Sequence, residues 1–492
     1  VSAALTPVAI QTTAGPYPAD FPFHPDSAYP EYRGAAVSAA PNPVYAAVRG
    51  LLFQLGYDRA AFGTPAWNPL GALVQPGDRV CLKPNLVSPQ HRAGGDPFSV
   101  ITHPSVLRAL ADYVALALQG RGEIVIADNP SIDADWDALM RLTRLNELEP
   151  YYAAQGVTCR VLDLRPRWTP DLTTYGFRSG TVERAGDPAG STVINLGRAS
   201  YFAGQNPLLF RGVFTKRWET IRHHHGATQE YCLSNTILHA DVFISVPKLK
   251  THHKVGVTLN AKGLVGINAN KNYLVHWKIG TPALGGDEFR NPALPADYAL
   301  LALRHLLLDW LPERAFLAAR RRWHGSRLGV LFEDTRGLSF QHQRGAWAGN
   351  DTCWRMAADL YNLFVRDLPG WRRAAGRPPQ RFLSVVDGVT AGQGNGPFTP
   401  TAKAAQVLVG GADLLLVDAV AARLMGFNVA AIAHLAELLA AGWVDPADIP
   451  VTLDGRPQPD FFAAPTAYLD FVPPDGWGHL LAARLPEQEL VA

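Results

Sequence analysis

The stretch "ADVFISVPKLKTHHK", residues 240–254, sets an apolar run directly against a row of cations. Val242, Phe243, Ile244 and Val246 are β-branched or aromatic and lack polar alternation, the pattern of a short strand buried on both faces. From Ser245 to Asn272 the chain then carries five lysines, Lys248, Lys250, Lys254, Lys262 and Lys271, and the adjacent pair His252 and His253. With 45 basic against 43 acidic residues the whole chain is close to neutral, so this cluster demands a local explanation.

The same grammar recurs on either side. "DRVCLKPNLV" (78–87) leads to "HPSVLRALADYVALAL" (103–118), and "GEIVIADNPS" (122–131) leads to "DWDALMRLTRLNEL" (135–148). "RFLSVVDGVT" (381–390), "ADLLLVDAVAARLMGF" (412–427) and "NVAAIAHLAELLAAGWV" (428–444) follow. Short apolar runs alternating with helical periodicity predict an α/β fold: a doubly wound, largely parallel sheet with helices on both faces. Residues 1–45, rich in Pro, Ala and Tyr, read as an extended surface arm without assigned chemistry. Residues 46–284 read as an α/β domain with a mixed, β-rich excursion at 160–235. Residues 285–360 read as a helical insertion broken at Pro312, and 361–492 as a second α/β portion completing the sheet.

Composition narrows the function classes. An apolar content of 47% in 492 residues supports a large core. No tail or face is basic enough to expect nucleic-acid binding. Cys81, Cys159, Cys232 and Cys353 are too scattered for a disulfide framework, a zinc ribbon or an iron–sulfur cluster, and read as reduced thiols. No signal-like start and no apolar run of about 18 residues occurs, so a cytoplasmic location is expected, with export after processing left open. The helical segment 300–323 mixes Leu, Trp and Arg in a way that fits helices packed on their own domain or, peripherally, a membrane surface.

In open α/β sheets ligands bind beyond the carboxyl ends of the strands. Just past the apolar runs stand Lys83 and Asn85, then Asp128, then Lys248 and Lys250, then Asp387, then Asp418. Lysine is a poor turn former, and Lys83 and Lys248 each adjoin a proline, so these cations point to an anionic ligand. Thr251, His252, His253, Lys254, Asn260 and Lys262 extend the cluster, and neighbouring ammonium groups are expected to hold the imidazoles neutral, fit for proton transfer or metal ligation. Glycines 392, 394 and 396, with Asn395 and Lys403, form a possible anion cradle, but the spacing is neither a Walker loop nor a dinucleotide fingerprint, so no nucleotide loop is expected. "HHHG" (223–226) offers His225 as a metal ligand. Asn350 or Asp351 caps a helix bearing Arg355 and Asp359 on one face, a further candidate wall.

At "VCLKPNLVSP", "THPSVLRALADYV", "ADVFISVPKLKTHHKVGVTLNAKGLVGI", "VVDGVTAGQGNGP" and "LLLVDAVAARLMGF" the chain resembles the domain-of-unknown-function 362 family. "KNYLVHWKIG", "GGDEF" and "GNDTCWRMAADL" resemble its longer bacterial branch. Some relatives carry C-terminal iron–sulfur cysteines that this chain lacks. The lysine–histidine segment is also distantly similar to nickel-pincer lactate racemases, where a lysine tethers the cofactor and histidines move a proton or coordinate metal.

These readings converge on an enzyme binding an anionic small molecule or sugar derivative, with isomerase- or lyase-like acid/base chemistry favoured over phosphoryl transfer. Lys83, Asn85, Lys248, Thr251, Lys254, Asn260, Asn350, Arg355, Asn395 and Lys403 are the expected ligand contacts. His252, His253, Lys250 and Lys262 are the expected catalytic groups. Asp128, Asp387, Asp418 and His225 are the expected holders of a divalent metal. The competing expectation is a non-catalytic binder or scaffold for an anionic ligand or polysaccharide.

Overall fold

In chain order the principal strands are β1 (Val8–Thr12), β2 (Arg79–Pro84), β3 (Glu123–Asp128), β4 (Thr158–Asp163), β5 (Val242–Val246), β6 (Lys248–His252), β7 (Arg381–Gln393), β8 (Thr401–Gly411) and β9 (Val451–Leu453). They belong to one large sheet of order β9-β1-β8-β7-β5-β2-β3-β4, with β6 pairing alongside β7. This computed structural model describes residues 5–34, 36–170, 180–212, 216–290, 295–332, 344–463 and 468–482.

The run β7-β5-β2-β3-β4 is parallel, while β8 is antiparallel to both β7 and β1. Alternation along the strands distributes their side chains between two cores. Val80, Leu82, Ile124, Ile126, Val242 and Ile244 join α1 (Pro43–Gln54), α2 (Pro104–Leu118) and α3 (Trp136–Thr143) on one face. Cys81, Val125, Ala127, Phe243 and Val386 turn to the other face. That second face also receives a short helix α4 (Leu259–Gly263), and further on α7 (Cys353–Tyr361), α8 (Leu414–Leu424) and α9 (Ala433–Ala441). Between them in sequence lie α5 (Pro295–Trp310) and α6 (Glu313–Trp323), the helical insertion. Local chemistry starts the helices: Asn42, His103, Asp135 and Asp413 accept hydrogen bonds from first-turn amides of α1, α2, α3 and α8, and Pro43 and Pro104 pre-set the first turn. The α/β architecture with helices on both faces is the one the sequence predicts. The excursion contains Ser191–Asn195 paired antiparallel with Thr228–Ser234, and its residues 171–179 lie outside the described ones.

Three expectations are corrected. Residues 8–12 do not lie on the surface as an arm: β1 threads between β8 and β9, with Val8 and Ile10 fully buried. Five residues are too few to show a period. "LLLV" is the first turn of α8 and not a strand, so Asp418 is helical; the preceding strand is β8, whose polar start "TAKAAQ" hides its strand character. "VVDGVT" is no strand end either, since β7 continues through Asp387 and Gly388 to Gln393. The portions before residue 46 and after 361 therefore share one sheet with the middle of the chain.

Replacement of Ile10 by Ala is expected to lower stability by about 2–5 kcal/mol, as for other buried aliphatic truncations. Urea denaturation checks this, and an unchanged midpoint would return residues 8–12 to the surface.

Candidate functional site

Beyond the carboxyl ends of β2, β3 and β5 opens a cleft of about 360 Å³. Its walls include Lys83, Arg92, Lys250, Lys254, Lys262, Lys271, Arg344, His252, His253 and His276, whereas Asp128 is the one carboxylate among the described lining residues. The volume is that of a small-molecule site and too small for a folded partner.

Lys83 and Asp128 meet at 2.8 Å because β2 and β3 are parallel neighbours ending side by side. The second Asp128 oxygen accepts the Leu86 amide at 2.7 Å, and Lys83 Nζ also donates to the Pro84 carbonyl at 2.9 Å. Gly266 closes over this pair: a Cβ there would stand 2.5 Å from Asp128 Oδ1 and 2.6 Å from Lys83 Nζ. The single acid of the cleft is thus already neutralised, and the other cations remain in excess.

Arg92 pairs with Asp133 at 2.6 Å, outside the lining, whereas the cleft lysines other than Lys83 have no carboxylate partner among the described residues. Lys250, fully buried, donates to the carbonyls of Val100 at 2.6 Å and Pro397 at 3.1 Å. Lys254 donates to the Arg344 carbonyl at 2.7 Å and lies 5.3 Å from the Trp277 ring centre. Lys271 donates to the Asn129 carbonyl at 3.1 Å, and Lys262 has no hydrogen-bond or ion-pair partner among the described residues. Burial, with Lys262 and Lys248 nearby, pushes the Lys250 ammonium well below its ordinary range. Burial likewise brings Lys262 down to about 8 and Lys271 to about 7.

The imidazoles follow the same rule. Burial first, and then the ammonium groups of Lys254 and Lys262, hold His253 and His276 down to about 3, and His252 lies well below its ordinary value. Their tautomers differ by partner. His252 Nδ1 accepts the Lys254 amide at 3.1 Å, which leaves Nε2 protonated and a donor. His276 Nδ1 stands 3.1 Å from the Leu274 carbonyl and must donate to it, which leaves Nε2 a lone pair.

Polar side chains without partners complete the cleft. Asn85 Nδ2, both terminal atoms of the Asn129 amide and Thr258 Oγ1 are buried and unbonded, although each residue lines the opening. Buried polar atoms are ordinarily paired, so four unpaired ones around a single cavity are a concentration that packing alone does not require.

Of the residues expected from sequence, Lys83, Asn85, Asp128, Lys250, His252, His253, Lys254 and Lys262 gather here. The others do not. Lys248 is sealed against Asp387 at 3.0 Å, and Thr251 donates inward to the Gly394 carbonyl. Asn260 bonds Asp418, whose carboxylate accepts the Asn260 and Ala261 amides at the start of α4. Asn350 folds back on the Gly345 carbonyl and the Thr352 and Cys353 amides, and Arg355 pairs with Asp351 while Asp359 is taken by Ser200 and Tyr231. Asn395 is exposed and bonds Asp475, and Lys403 reaches the Asp470 carbonyl. The expected metal set is dispersed: Asp128 sits at the cleft, Asp387 and Asp418 in separate buried networks, and His225 is exposed at the edge of a short hairpin. Among the described residues no three His, Cys, Asp or Glu side chains converge as a metal-ligand group, so the donor set does not fit the metal expected, and no step below is routed through one.

The sequence marks Asn129 at a strand end and Lys271 in the cationic run without a site role for either, and gives no sign of Arg92, Thr258, His276, Arg344 or Cys353 as cleft residues. Lys271 closed the cationic run and was legible; His276 and Cys353 are brought in only by packing. A larger hollow of about 650 Å³ opens elsewhere, beside Tyr45 and Tyr113, but its acids are consumed: Glu31 pairs with Arg49 and Asp112 accepts from Tyr45 and Tyr152.

Fold and site together define an α/β protein with a cationic cleft at the carboxyl edge of its parallel strands. The chain belongs to the family described as Domain of unknown function (DUF362), whose model matches residues 80–175 and 178–423. Comparison with curated proteins gives no match, and comparison with solved structures gives none. Among the described residues no helix is long and apolar enough to cross a membrane.

Because the folded imidazoles of His253 and His276 stay neutral to about 3, whereas an unfolded imidazole takes up a proton near 6.5, unfolding binds protons between those values. Their contribution to stability is full above pH 6.5 and declines as the pH falls through that window. Urea midpoints at pH 7 and pH 5 are therefore expected to differ less in His276→Gln than in the parent, and imidazole NMR signals of the parent are expected to show both rings untitrated down to pH 5.

Proposed function

We propose that this protein is an enzyme that holds a small anionic substrate in the cleft and moves a proton on it. The observation that carries the reading is the surplus of cations over the one, already paired, carboxylate, combined with neutral imidazoles in the same enclosed space. A bound carboxylate or phosphate supplies the counter-charge that Lys262, Lys271 and Lys254 lack, and the buried amides of Asn85 and Asn129 offer hydrogen bonds to its oxygens or to a substrate hydroxyl. Entry of that negative charge also raises the depressed basicity of the imidazoles. His276 Nε2, carrying the lone pair, is the base; His252 Nε2–H, of opposite tautomer, is the donor that steadies developing negative charge. The matching reaction class is proton abstraction beside a carboxylate, leading to isomerisation or elimination.

A panel of small hydroxy, keto and phosphorylated acids incubated in deuterated water tests this by NMR. Deuterium is expected to enter one carbon position of a bound acid, and His276→Gln is expected to slow that exchange about 10²-fold or more while binding persists. Binding without exchange across the panel would leave a non-catalytic anion or polysaccharide binder.

Anion affinity itself should fall as the pH rises, because Lys271 and Lys262 lose their protons near about 7 and about 8 in the empty cleft. Calorimetric titration with citrate is expected to show weakening between pH 7 and pH 9, and Lys262→Met to bind citrate about tenfold or more weakly at pH 7. Equal affinity in the parent and Lys262→Met would remove Lys262 from the site.

A further inference from the structure

Helix α5 buries Leu301 and packs Leu307 and Leu308 inward, yet it also turns a second apolar face outward. Its charged and polar residues Arg304, His305 and Asp309 are buried, whereas Leu303, Leu306 and Trp310 are 44%, 52% and 71% exposed. A water-facing helix shows the reverse order. The inward face is firmly engaged: Asp309 pairs with Arg211 and Arg217 at 2.9 Å each, and His305 pairs with Glu288 at 2.9 Å. Lys216 donates to the carbonyls of Leu308, Asp309 and Leu311, closing the end of the helix. The outward leucines and tryptophan are therefore not a helix that has rolled the wrong way. Buried ion pairs hold them out, at positions i, i+3 and i+7 on one side.

Helix α6 follows after Leu311 and Pro312. Its Arg314, Arg321 and Arg322, with Arg327 just beyond, are exposed and have no carboxylate partner among the described residues, and Leu328 beside them is 54% exposed. Among the described residues, Asp309 is buried in its arginine pairs and Glu313 is only half-exposed. An exposed apolar stripe on one helix, followed in the chain by a helix bearing exposed arginines, matches the interfacial region of an anionic bilayer, apolar residues entering the acyl boundary and arginines meeting phosphates. A second copy of this chain is a poorer occupant, because a two-fold contact would set one arginine group against its duplicate.

We infer that the α5–α6 segment docks this protein peripherally on anionic lipid bilayers. The surface is distinct from the cleft, and its failure would leave the cleft reading untouched.

The full chain is mixed with phosphatidylcholine vesicles and with vesicles containing phosphatidylglycerol, and floated on a density gradient at low salt. Flotation with the anionic vesicles is expected, with little on phosphatidylcholine alone. The bound fraction should drop about tenfold or more in Leu303→Ser/Leu306→Ser/Trp310→Ser and also in Arg321→Glu/Arg322→Glu, since both contributions are needed. These side chains are exposed, so thermal unfolding of both variants should match the parent. No flotation of the parent, or flotation unaltered in the serine variant, overturns the inference. So does a concentration-dependent dimer in sedimentation analysis that the serine variant abolishes, which would assign the stripe to a second copy.

Discussion

Lys248 and Asp387, both without solvent contact, are paired at 3.0 Å at the point where β6 runs alongside β7. Removing two charges from water is costly, and such a pair persists only when further hydrogen bonds satisfy it. Here Tyr17 donates to Asp387 at 2.6 Å, the His103 amide donates to it at 2.9 Å, and Lys248 also donates to the Tyr17 oxygen. The N-terminal segment, the start of α2 and two strands are thus tied at one polar node. With Lys248 fixed there, the two-residue period of β6 carries Lys250 and His252 along the same face into the cleft.

The cleft itself is electrostatically unbalanced by construction. Lys250, Lys254 and Lys271 donate to carbonyls, which bind a cation's protons without neutralising its charge. Burial among like charges lowers the proton affinity of the amines and imidazoles there. Any negative charge placed among these groups would raise their proton affinity, because the two are linked.

Glycine spacing has a different meaning in the structure than in a phosphate loop. A Cβ at Gly392 would stand 2.5 Å from the Ser99 carbonyl, and Gly396 lies against the backbone of Thr251. These residues let the loop after β7 close on β6 and deliver Pro397 and Phe398 to the cleft wall. The histidine triplet shows a similar reversal: His224 is buried between Gln229 and the Tyr273 carbonyl, and His223 stacks on Tyr273 at 3.6 Å. Each motif turned out to serve packing because chemistry-bearing residue types are also good packing pieces when their polar atoms find partners.

What the sequence by itself determined is the parallel core and the half of the cleft drawn from strand ends. An apolar run followed by a charge is a local signal, and the physics of parallel strands places such ends together; Lys83, Asp128 and Lys250 were legible for that reason. Tertiary structure alone decided which cations face the cavity and which are sealed, since Lys248 and Lys250 are only two residues apart on one strand. It also decided that β1 joins the sheet, that Asp418 braces a helix, and that His276 and Cys353 stand beside Lys254 and Lys262. These outcomes depend on contacts between segments that are not neighbours in sequence, and no local pattern encodes which buried partner a side chain will meet.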